Sequence, residues 1–75
     1  MNESDMKVPP ILDNNMRTYF RSHYSKEDPN SIQGILFWLK SEGYSQMQSV
    51  FLLVEQGQMS FAEANQLVLN SKAWN

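Results

Sequence analysis

The sequence predicts an all-α fold, a small three- to four-helix bundle with a helix-turn-helix hairpin at the C-terminal end. Three observations predict it. Apolar residues recur at the i, i+3, i+4, i+7 spacing of one helix face in several separate stretches. Two of those stretches open on paired residues, Ser45 with Gln48 and Ser60 with Glu63. Each pair has the spacing of a capping box, in which the serine hydroxyl takes a free backbone N–H and the longer side chain reaches back to the cap residue. Pro29, Gly43 and Gly57 stand where helices would start or stop.

Residues 1–12 read as a flexible tail before a single helical domain over residues 13–75. Pro9-Pro10 excludes helix there and favours an extended path. Val8, Ile11 and Leu12 would let that path lie against a core. In residues 13–24, Asp13 or Asn14 serves as a cap. Met16, Tyr19, Phe20 and His23 then fall on one helix face. A strand would also suit Thr18, Tyr19 and Phe20; the helix is preferred. Residues 25–30 form a linker. Asp28-Pro29 opens the next helix, with Pro29 in the first turn and Asp28 or Ser31 as cap. Ile32, Ile35, Leu36 and Leu39 make its core stripe, while Phe37 and Trp38 widen its apolar surface. Gly34 lowers the stability of a helix by about 1 kcal/mol relative to alanine; it is expected to admit a neighbouring backbone. Gly43 is the stop.

The hairpin follows. From Ser45 to Gln56 the core stripe is Met47, Val50, Phe51 and Val54, with Leu52 and Leu53 outside it. Gly57 is expected to take the left-handed conformation that ends this helix. From Ser60 to about Ser71, Phe61, Ala64, Leu67 and Val68 form the stripe, and Leu69 and Trp74 extend it.

Composition bounds the function. A 75-residue chain is one domain at most. At that size folding buries only roughly 60% of the unfolded surface, so a partner chain, a metal or disulfides commonly add stability. There is no cysteine and one histidine, His23, which leaves neither disulfides nor a plausible zinc set. No metal and no cofactor is expected. The formal charge of −2 disfavours a nucleic-acid surface. The first ten residues lack an apolar segment of the signal-peptide kind, and the runs ILFWL and VFLLV are far short of the roughly 20 residues that span a bilayer. A cytoplasmic protein without a membrane segment is expected.

The string Val50-Phe51-Leu52-Leu53-Val54-Glu55, followed by Met59-Ser60-Phe61-Ala62-Glu63-Ala64-Asn65-Gln66-Leu67-Val68, resembles the helix-turn-helix of the C-terminal domain of the bacterial ribosomal stalk protein. The resemblance covers residues 45–74 and rests on Met59, Ser60, Phe61, Glu63, Ala64, Leu67 and Val68. It implies the hairpin geometry. Small uncharacterised bacterial proteins share this hairpin and end in a Ser-x-Ala-Trp tail, which Ser71-Lys72-Ala73-Trp74 resembles. The stalk family recruits translation factors through Lys and Arg on the hairpin. Here Phe51, Val54 and Asn65 stand at those places, no cation lies between Lys40 and Lys72, and no strand follows. The geometry is carried over and factor binding is not.

No nucleophile and base stand in a catalytic pattern, and the three isolated glycines make no phosphate loop. A non-enzymatic role is expected. The surplus of apolar side chains points to protein binding, with Phe37, Trp38, Leu52, Leu53, Leu69 and Trp74 as the candidate interface. The leading expectation is a small interaction module, of an inhibitor or immunity type that occludes a partner protein, with self-association as a further use of the same surface. The alternatives are a DNA-binding regulator using Arg17, Arg21, Lys26, Asn65, Gln66, Asn70 and Lys72, or a stalk-like translation accessory.

Overall fold

The computed structural model describes residues 11–75. Four helices follow one another: α1 (Asn14–His23), α2 (Asn30–Ser41), α3 (Gln46–Gly57) and α4 (Phe61–Leu69). Among the described residues there is no strand, so residues 18–20 belong to a helix. The tail expected over residues 1–12 lies outside the described residues up to residue 10. Of its last two residues, Leu12 packs against the core and Ile11 is exposed, its carbonyl accepting from Gln48 Nε2 at 2.8 Å.

The helices start and stop for local reasons. Asp13 caps α1 by accepting the Met16 N–H at 2.8 Å. Pro29 precedes α2 with helical dihedrals (φ −63°, ψ −21°) and no capping side chain of its own; the Asp28 carboxylate accepts the Asn30 N–H at 3.0 Å. Ser31, the other expected cap, instead ties the linker down: its hydroxyl accepts from the Ser25 N–H and donates to the Ser25 carbonyl. Gly43, at φ +90°, closes α2. Its N–H and that of Tyr44 turn back to the carbonyls of Lys40 and Leu39, the double bond pattern of a left-handed stop.

Ser45 and Gln48 form the full capping box at the head of α3, at 3.0 and 2.8 Å. At the head of α4 only half of the expected box forms: the Ser60 hydroxyl accepts the Glu63 N–H, and the Glu63 side chain does not return to Ser60. Two glycine expectations are corrected. α3 runs through Gly57, and the left-handed residue is Gln58 (φ 57°). Gly57 sits in a tight place: a Cβ there would stand 3.0 Å from Met59 Cε and 3.3 Å from Phe20 Cζ, so those side chains would have to shift by a few tenths of an ångström. A Cβ at Gly34 would meet nothing within 4 Å, so no backbone approaches there.

α3 is the central element and packs on all three other helices, most extensively on α4. The core is Met16 and Phe20 from α1, Ile32, Ile35, Leu36 and Leu39 from α2, Val50, Leu52 and Leu53 from α3, and Ala64 and Val68 from α4, closed by Ala73. Burying each large side chain contributes roughly 1.5–3 kcal/mol.

Here the expected register of α3 is corrected. Leu52 and Leu53 are 0% exposed, whereas Met47 is 46% exposed. The buried arc is turned roughly a third of a turn from the expected one. Both arcs of α3 are apolar, so periodicity could not choose between them; the approach of α1 and α2 does. On α4 the expected stripe holds for Ala64, Leu67 and Val68, and only its first member, Phe61, is out of the core at 49% exposed. The C-terminal segment folds back on the bundle. Lys40 Nζ donates to the Ala73 carbonyl at 3.2 Å, and Asn75 Nδ2 donates to the carbonyls of Leu69 and Ser71.

Candidate interaction surface

The rotation of α3 leaves an apolar stripe facing outward. Met47 and Phe51 are one turn apart and lie on the same side of the helix. Across the α3–α4 turn the Phe51 ring meets the Phe61 ring, with centroids 5.9 Å apart and planes tilted by 54°, an attractive edge-on arrangement. On α4 the stripe continues from Phe61 through Asn65 to Leu69 at i+4 spacing, and Leu69 is 50% exposed. Among the large hydrophobics exposed in the described residues, three of five are therefore on α3 and α4, and the other two are Ile11 and Phe37.

The rim of this face is polar and already paired. At the far end of the α3 stripe the Glu55 carboxylate takes the Arg17 guanidinium through two bonds, at 2.6 and 3.3 Å. That pairing holds Glu55 below the usual carboxylate range and raises Arg17. Beside it Arg21 donates to Gln56 Oε1 at 3.3 Å.

The sequence-derived candidates separate in space. Leu69 is exposed on this face. Phe37 is equally exposed but sits on α2. Leu52 and Leu53 are core residues, which removes them from the interface. Trp74 is half-buried against the core. Trp38 is also half-buried, and its indole lies flat on Tyr19 with centroids 3.8 Å apart. It belongs to an aromatic ladder that runs from His23 through Tyr19 and Trp38 to Tyr44, whose hydroxyl donates to the Asp13 carboxylate at 2.8 Å. This ladder joins α1 to α2 and to the α2–α3 turn. Met47, Phe51 and Phe61 were not among the interface candidates, because their spacing is also that of a core stripe.

The candidates for a nucleic-acid surface do not gather as free cations. Arg17 and Arg21 are engaged by Glu55 and Gln56 of α3. Asn70 is bonded to Gln66 at 3.1 Å. Lys26 lies in the linker after α1, and Lys72 lies beyond the end of α4.

A concavity of about 690 Å³ opens between the α1–α2 linker and the α3–α4 turn. Ile32, Met59 and Leu67 line it together with Lys26, Asp28 and Glu63. Its charges are of both signs. Among the described residues no group of three His, Cys, Asp or Glu side chains is placed to hold a metal ion, and no helix is long and apolar enough to cross a membrane. Compared with protein-family models, with curated proteins and with solved structures, the chain matches none.

Proposed function

We propose that the chain is a small non-catalytic protein-binding module whose working surface is the outward face of α3 and α4, and that it acts as an inhibitor- or immunity-type protein by covering a partner. The observation that supports this most is the placement of Met47, Phe51, Phe61 and Leu69. Met47, Phe61 and Leu69 are exposed and Phe51 is half-buried beside Phe61, all on two adjoining helices with a polar rim beside them. An apolar, charge-depleted centre with a polar edge is how protein interfaces are built, and exposed apolar groupings on small proteins mark interaction sites.

The DNA-binding alternative loses one of its cations, since Arg17 is paired with Glu55, whereas Arg21 meets only the neutral Gln56 amide. The test is affinity capture from a native extract with the wild-type chain and with Phe61→Asp, each first shown to be helical by circular dichroism. A stoichiometric protein retained by the wild type and lost by Phe61→Asp supports the proposal. Capture that is abolished by nuclease, or that ignores the substitution, overturns it.

A further inference from the structure

We draw no further inference here: the strongest candidate, the concavity between the α1–α2 linker and the α3–α4 turn, carries none, because its exposed Lys26, Asp28 and Glu63 are of both signs and single out no ligand, and nothing in the structure shows what covers its apolar lining of Ile32, Met59 and Leu67.

Discussion

Asp13 does two tasks with one carboxylate. It accepts the Met16 N–H at the head of α1 and the Tyr44 hydroxyl from the α2–α3 turn. The backbone bond from Met16 first, and the Tyr44 hydroxyl second, hold its pKa below the usual value. A carboxylate depressed in the folded state stabilises the fold at pH above its unfolded pKa, and that contribution is lost as pH falls through the folded value. Asp13 and Glu55 are both of this kind, so stability is expected to decline below about pH 4, the ordinary carboxylate range. Asp13→Ala is expected to lower stability at pH 7 by about 1 kcal/mol, the usual effect of losing a cap, and to flatten the acid side of the profile. Urea denaturation at pH 7 and at pH 3 checks both; an unchanged acid slope in the variant would exclude Asp13 as its source. The cap was legible in the sequence, since Asp13 precedes a helical spacing. The Tyr44 bond joins residues 31 apart in the chain and left no local trace.

The element that decided most is α3. Its sequence carries two apolar arcs that share Val50, one through Met47, Phe51 and Val54 and one through Leu52 and Leu53. Spacing alone weighs them equally. Inside the bundle they are unequal, because α1 and α2 approach only one of them. Leu52→Ala is therefore expected to cost about 2–5 kcal/mol, as truncation of a fully buried leucine does. Met47→Ala, at an exposed position, is expected to change stability by less than about 1 kcal/mol. Chemical denaturation of the two variants beside the wild type separates them, and a larger loss for Met47→Ala than for Leu52→Ala would restore the expected register. By contrast, the core stripe of α2 was read correctly. Its stripe Ile32, Ile35, Leu36 and Leu39 is buried as spaced, since only one of its arcs is uniformly aliphatic. α1 was read correctly as a helix with Met16 and Phe20 inward, and His23 lies exposed against Tyr19.

At the scale of the whole molecule, contacts reach from one end of the described chain to the other. Leu12 and α1 join the core at one end, and Ala73, Trp74 and Asn75 close it at the other. The two tryptophans report on different parts of this arrangement, Trp38 on the α1–α2 ladder and Trp74 on the closing segment. Unfolding is expected to be a single transition, so that fluorescence of Trp38→Phe and of Trp74→Phe variants follows the same denaturant midpoint as helicity. An earlier midpoint for the variant that retains Trp74 would show that the closing segment unfolds separately. What the sequence by itself determined is the class of object, an all-α chain with its helices, most of their borders and the stripe of α2, because propensity, caps and single-arc periodicity act over a few residues. What only the tertiary structure decided is which apolar arc of α3 faces inward and that Phe61 of α4 stays outside, and with them the position of the candidate surface. That choice depends on the directions from which other helices arrive, and those directions are set by contacts between residues far apart in the chain.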